Sequence, residues 1–265
     1  MLSRHDMAPV SSGGVLTSFA GSQLFGEAYG SGAPWVLALH GWRRDHTDFE
    51  VVLRRPKELA AIAVDLPGFG ATPEPASAWG TAGYAEALLP LLQIMAPRVV
   101  VVGHSRGGCI AVQLAGMAPA RMAGLVLTGA PLFRAAGEHR RAPMTFRAVR
   151  RLAKAGLVTG AQLERLRDRY GSDDYRAATG VMREVLVTLL AEDYEEALAA
   201  VGCPVELVWG EHDTAAPVEV AGRIENALPC GAKLSVCAGT GHMTPLEAPG
   251  ALREAIERLR PAPAT

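Results

Sequence analysis

Val99-Val100-Val101-Val102 runs directly into Gly103-His104-Ser105-Arg106-Gly107-Gly108, and no other stretch restricts the fold as much. Four successive β-branched apolar residues do not alternate between a wet and a dry face. They fit a strand covered on both sides, as in a parallel sheet flanked by helices. The run breaks at the glycines and resumes over residues 109–117 with apolar side chains at helical spacing. Strand, Gly-x-Ser-x-Gly and helix together form a sharp turn that lifts the serine onto a strained corner. Small residues two before and two after it let the backbones come close. The bare pattern occurs by chance in many chains, so its weight here comes from the strand before it and the helix behind it.

The rest of the chain repeats the alternation. Residues 15–19 and 23–29 suit an opening hairpin. Residues 35–39 form an apolar run ending at His40-Gly41-Trp42, and residues 60–64 another, ending at Asp65-Leu66-Pro67-Gly68-Phe69-Gly70. Between them the pattern predicts a helix over 47–59, capped by Thr47 and cut short by Pro56. A helix over 81–95 should kink at Pro90, and residues 125–127 give a further strand closing at Thr128-Gly129-Ala130-Pro131. The rhythm then stops. Residues 132–201 carry only helical patterns, over 146–155, 162–169 and 185–199. Strand character returns at 204–209, followed by Gly210-Glu211-His212-Asp213, a helix over 218–228, a strand over 233–237, a loop with His242, and a last helix over 245–259. The expectation is an α/β architecture, a mostly parallel sheet with helices on both faces. Its core domain would span 1–131 and 202–265, with 132–201 inserted as a helical cap. Ligands in such sheets bind beyond the C-terminal ends of the strands, where His40, Asp65 and Ser105 all fall.

Composition sets the limits. With 49% hydrophobic and 20% charged residues, the 265-residue chain can bury a large core. A net charge of −1 offers no general attraction to nucleic acid or acidic lipid. Residues 1–14 hold no apolar run like a signal peptide, and nowhere are 18 apolar residues consecutive. Four cysteines without a Cys-x-x-Cys pair suggest reduced thiols. The expectation is a cytoplasmic protein, monomer or homodimer, acting on a small molecule, with no nucleic-acid or membrane partner, no cofactor and no metal.

A serine hydroxyl is a poor nucleophile until a base takes its proton, and the base needs an acid to orient it. Of seven histidines, His242 alone lies on a loop directly after a late strand and among small residues, Gly239-Thr240-Gly241. The loop after residues 125–127 contains no carboxylate, whereas the loop after Trp209 supplies Glu211 and Asp213. Asp213 lies further into it and is preferred, with Glu211 as rival. Ordinary roles compete with each assignment: a turn serine, a loop histidine, an aspartate that caps the next helix. The joint pattern outweighs them. Stabilising an oxyanion needs two donors. The backbone N–H groups of Arg106 and Trp42 are the candidates, one after the serine and one on the His40-Gly41-Trp42 loop. His40, Gly41, Phe133, Phe146 and Met243 are candidate substrate contacts. For the His40 ring a structural role, bonded to nearby backbone, is preferred over proton transfer.

His40-Gly41-Trp42, residues 65–70, residues 103–108, Gly210 to Asp213 and Gly241-His242 follow the order of the α/β-hydrolase superfamily. The chain resembles its lid-bearing esterase and C–C hydrolase branch over roughly residues 15–260. The resemblance implies an eight-stranded sheet and a Ser105, Asp213, His242 triad. A serine at 105 sets it apart from the dehalogenase-like and epoxide-hydrolase-like branches, which use aspartate there. Two residues depart from the pattern: Arg106 stands where an apolar residue is common, and Met243 where many C–C hydrolases have tryptophan.

The insertion is divided in charge. Residues 134–169 carry nine arginines and one lysine against three acids, and residues 170–200 two arginines against seven acids. The early arginines suit an anionic substrate group, but pairing between the halves or plain solvation is the commoner role. Arg106 offers the same choice: an anion clamp, or a partner for Asp48 or Asp65. Phe133, Met144, Phe146 and Met182 suit the roof of an apolar pocket or simply cap core. The favoured function is acyl transfer on a small ester. The same residues would also serve C–C cleavage of a β-diketone-like substrate, a lyase or cofactor-independent oxygenase with His242 as base, or a ligand-binding receptor.

Overall fold

The computed structural model describes residues 15–54, 59–133 and 172–262. Eight strands form one sheet in the order β1-β2-β4-β3-β5-β6-β7-β8. They are β1 (Thr17–Phe19), β2 (Leu24–Tyr29), β3 (Val36–Leu39), β4 (Ala61–Asp65), β5 (Val99–His104), β6 (Met122–Thr128), β7 (Val205–Gly210) and β8 (Lys233–Cys237). β1 and β2 run antiparallel to their neighbours, and every pairing from β4 to β8 is parallel.

The valine run of β5 does what its composition demands. Val99 and Val101 enter the core on one face, and Val100 and Val102 the core on the other. Covering the first face are α2 (Thr81–Leu92), α3 (Arg106–Met117) and, further along, α7 (Val218–Ala227); the second is covered by α1 (Glu50–Arg54) and α9 (Pro249–Arg258). Each valine so buried contributes roughly 1.5–3 kcal/mol.

The described part of the insertion consists of α4 (Asp173–Ala177), α5 (Gly180–Ala191) and α6 (Glu195–Ala199), between β6 and β7. A single helix over 185–199 is corrected to two. The chain leaves the helix at Glu192 (ψ 152°), which frees the Glu192 carboxylate to accept from Thr81 N–H and Thr81 Oγ–H, both at 2.9 Å. Tyr194 Oη donates to the same carboxylate. Glu192 thus caps α2 from outside, where Gly80 has no side chain to do so.

Three further boundaries differ from the pattern. Asp45 rather than Thr47 caps the element after β3, accepting from Thr47 N–H at 2.9 Å; a short 3₁₀ turn (His46–Phe49) then leads into α1. α2 ends at Leu92 rather than at residue 95, with Pro90 in its last turn. The last helix is interrupted at Ala248, before Pro249, giving a short α8 (Thr244–Glu247) ahead of α9, since the residue before proline avoids helical geometry. The expected helices over 146–155 and 162–169, and the early arginine cluster, lie outside the described residues. Among the described residues no helix is long and apolar enough to cross a membrane.

Candidate active site

β5 ends at His104, and α3 begins at Arg106, so Ser105 alone makes the corner. Its backbone stands at φ 52°, ψ −120°, a conformation costing a non-glycine residue about 1–3 kcal/mol. The surroundings hold it there: Ser105 N–H donates to Thr128 O, and Gly108 N–H to Ser105 O, both at 2.9 Å. The flanking glycines are required by contact. A Cβ on Gly103 would lie 2.6 Å from Gly107 O, and one on Gly107 would strike the Leu39 and His40 carbonyls.

The candidate acid and base meet across β7 and β8. Asp213 has a fully buried side chain. Its Oδ1 accepts from the Ala215 and Ala216 N–H groups at 2.8 Å each, and its Oδ2 lies 2.8 Å from His242 Nδ1. An ionised carboxylate only accepts, so Nδ1 carries the hydrogen and Nε2 keeps its lone pair. Glu211 does something else. Half exposed, it accepts from Gly239 N–H at 2.9 Å and anchors the loop that carries His242. Glu247 does the same further on, accepting from Gly241 N–H at 2.6 Å.

The loop after β6 has no carboxylate for a spatial reason. Gly129, at φ +56°, packs against the pair, and a Cβ there would lie 2.9 Å from His242 Cε1 and 3.2 Å from Asp213 Oδ2. Its positive φ and missing side chain are what the imidazole needs. Sequence reasoning passed over Gly129, for which a glycine directly after a buried strand was the available signal.

On the other side, His40-Gly41-Trp42 approaches the serine. A Cβ on Gly41 would stand 3.1 Å from Ser105 Cβ. His40 is wholly buried, its Nδ1 donating to Gly41 O at 2.7 Å and its Nε2 accepting from Leu66 N–H at 2.9 Å. Both ring nitrogens are thus spent on main chain, which corrects the expectation of His40 as a substrate contact. Burial lowers its pKa, with the Gly41 bond and nearby carboxylates opposing.

The Trp42 ring meets Phe69 edge-on, centroids 4.9 Å apart, and packs beside Tyr175, Ala178 and Leu186 of the insertion. Met182 covers Gly68. Met243 precedes α8 and is partly exposed. Phe133 lies beneath the Arg223 guanidinium, 4.3 Å from ring centre to Cζ. Phe146 and Met144 fall outside the described residues.

Arg106 pairs with neither proposed acid. Asp48 is bound by Arg44, with Nε to Oδ2 at 2.9 Å, and Asp65 by His46 Nδ1 at 2.7 Å. Arg106 Nη1 instead donates to Leu189 O of α5 at 3.3 Å, turning away from the sheet and towards the insertion. Asp45, His46 and Asp65 bring ligand-type atoms within 4.8 Å of one another. Their oxygens and ring nitrogen, however, are already engaged with Thr47, Ala71 and each other.

An eight-stranded, mostly parallel sheet, a serine on a strained strand-to-helix corner and a histidine–aspartate pair at neighbouring strand ends define an α/β-hydrolase. Residues 36–255 match the alpha/beta hydrolase family, and the chain belongs to it. An uncharacterised protein of Mycobacterium tuberculosis is 28% identical over 87% of this chain and 76% of its own length. Among solved structures, a thermophilic esterase from Thermogutta terrifontis is similar with a TM-score of 0.62 and 24% identity, covering 93% of this chain and 97% of its own. The 2-hydroxy-6-oxo-6-phenylhexa-2,4-dienoate hydrolase of a Rhodococcus strain is similar with a TM-score of 0.66 and 19% identity, covering 93% and 98%. At these identities the solved structures speak for the fold alone.

Proposed function

We propose that this hydrolase is a serine esterase acting on a small ester-like substrate through an acyl-enzyme on Ser105. The observation that carries the reading is the buried Asp213 carboxylate 2.8 Å from His242 Nδ1, which leaves Nε2 as a free base, together with the strained serine corner. In this reading His242 takes the Ser105 proton as the oxygen attacks the carbonyl, and the Trp42 and Arg106 N–H groups receive the oxyanion. Removing one such donor costs on the order of 3 kcal/mol in the barrier. His242 then protonates the leaving alcohol, and water repeats the sequence on the acyl-enzyme. The insertion over 132–201 acts as a cap, with Phe133 and Met243 beside the substrate. No metal or cofactor takes part. The partner is a small molecule, and the chain works as a monomer or homodimer. The four free thiols fit a reducing, cytoplasmic setting.

A fluorophosphonate probe should label the wild type and fail to label Ser105→Ala; equal labelling would overturn the reading. The likeness of fold to the dienoate hydrolase keeps carbon–carbon cleavage as the competitor. A burst of p-nitrophenol on mixing with a p-nitrophenyl ester marks acyl-enzyme accumulation and separates the two.

A further inference from the structure

We infer that His104, the residue before the serine, is a positioning residue that ties the serine corner to the His242 loop and packs against the His40-Gly41-Trp42 loop. The inference rests on the esterase reading for its consequence in turnover, but its geometry stands alone. His104 Nε2 lies 2.9 Å from the His242 carbonyl oxygen. A carbonyl only accepts, so Nε2 must carry the hydrogen. The two imidazole rings then sit with centroids 4.8 Å apart, tilted by 50°. The other nitrogen, Nδ1, is buried with no hydrogen-bond partner among the described residues and faces the His40-Gly41-Trp42 loop, where a Cβ on Gly41 would stand 3.1 Å from it and 3.4 Å from His104 Cε1.

This arrangement divides the work of holding the base. Asp213 fixes the imidazole of His242 through its ring nitrogen; His104 fixes its backbone through the carbonyl. Residues 104 and 242 are far apart in sequence, so this bond is a direct strut from the nucleophile's strand to the base. The loop around His242 is otherwise anchored on its near side, by Glu211 at Gly239 and Glu247 at Gly241. Without His104, the carbonyl of the base residue itself would lose its tie to β5. Burial, and then the neighbouring His242, push the His104 pKa down to about 4. The ring is therefore neutral where an esterase works, and it keeps a single hydrogen to give. His104 touches no reacting atom in this account; it acts by keeping His242 in register with Ser105. A displacement of about 1 Å can cost about 100-fold in rate.

Three variants that differ in donor and reach separate the hydrogen bond from mere packing. The amide nitrogen of His104→Gln can occupy the place of Nε2, whereas that of His104→Asn stops short, and His104→Phe fills the volume with no donor. With p-nitrophenyl esters, His104→Gln should hold kcat within about 3-fold of wild type. His104→Asn and His104→Phe should lose about 10- to 100-fold in kcat with KM changed less than about 3-fold. Equal losses in Gln and Asn, or a loss carried by KM, would overturn the positioning role. Nitrogen NMR of the wild type gives a second arm that needs no variant to fold and no substrate to turn over. His104 should show a protonated Nε2 and an unprotonated Nδ1, and the opposite tautomer would overturn the inference. If Ser105 resists labelling and no ester turns over, the esterase reading fails, while the NMR arm still decides the place of His104.

Discussion

The serine corner and the inserted helices are held by different physics. At the corner, contact is between main-chain atoms: Gly103 against Gly107, Gly107 against Leu39 and His40, and Ser105 strained between two backbone hydrogen bonds. The described insertion rests on side chains: Glu192 on Thr81, Met182 over Gly68, Tyr175 and Leu186 against Trp42, and Arg43 on Asp174. A residue at the corner cannot change without moving backbone, so its geometry is all or nothing. The insertion can change one tie at a time. On the proposed reading the corner sets the reaction and the insertion sets what reaches it, and substitutions should divide along the same line.

The largest effect belongs to the corner side. Asp213→Asn should lower kcat by about 10⁴-fold, because an amide no longer holds the Nδ1–H tautomer of His242. Glu211→Gln, at a carboxylate that accepts from Gly239 N–H and lies 3.8 Å from His212 Nε2, should leave kcat within about 3-fold. Comparable losses in the two would remove Asp213 from its role. Gly107→Ala comes next. Its methyl would collide with the Leu39 carbonyl, and overpacking against backbone that cannot yield costs about 2–3 kcal/mol. A denaturant midpoint equal to wild type would show the corner to be softer than its contacts imply.

The same division explains what the sequence disclosed. The corner was legible because rigid backbone contact leaves a signature in residue type: valines for a doubly covered strand, glycines at fixed offsets, a carboxylate and a histidine after later strands. The sheet followed from that rhythm. What stayed hidden was decided by contacts distant in the chain. Glu192 breaks a helical pattern in order to cap α2, 111 residues away, and no local preference announces it. Arg106 offered two acids in the sequence, but both are held by closer partners, Arg44 and His46. The His40 ring, by contrast, has the structural role its position suggested, with both nitrogens on main chain. Helix endings followed capping and proline chemistry whose strength periodicity does not measure.

On the insertion side, effects should be smaller and should fall on binding. Glu192→Ala removes two bonds to Thr81 and one from Tyr194, and loss of a helix cap costs about 1–2 kcal/mol. KM should change by about 3- to 10-fold while kcat stays within about 2-fold, since no contact of Glu192 reaches Ser105 or His242. A loss in kcat with unchanged KM would mean that the insertion and the corner are not separable. That outcome would direct attention to Arg106, whose guanidinium donates to Leu189 O while its own backbone follows the serine.

The smallest effect sharpens the contrast within one loop. Residues 43–46 are tied to the insertion by Arg43–Asp174, with both side chains 52% exposed, and to the sheet by His46–Asp65, with Asp65 1% exposed. The exposed pair should contribute little, so Arg43→Ala should leave the melting temperature nearly unchanged. The buried pair should be visible through pH. The hydrogen bond that His46 donates to Asp65 raises the pKa of His46, with burial opposing. A proton held more tightly in the folded state stabilises it fully below the unfolded histidine pKa of about 6.5, and that contribution is lost as pH rises through the folded value. As pH rises above about 6.5, the melting temperature of the wild type should therefore fall more than that of His46→Gln, the two curves converging at higher pH. Parallel curves across this range would mean that the loop beside the serine is held by packing alone, and the sheet-side tie would be no stronger than its exposed counterpart.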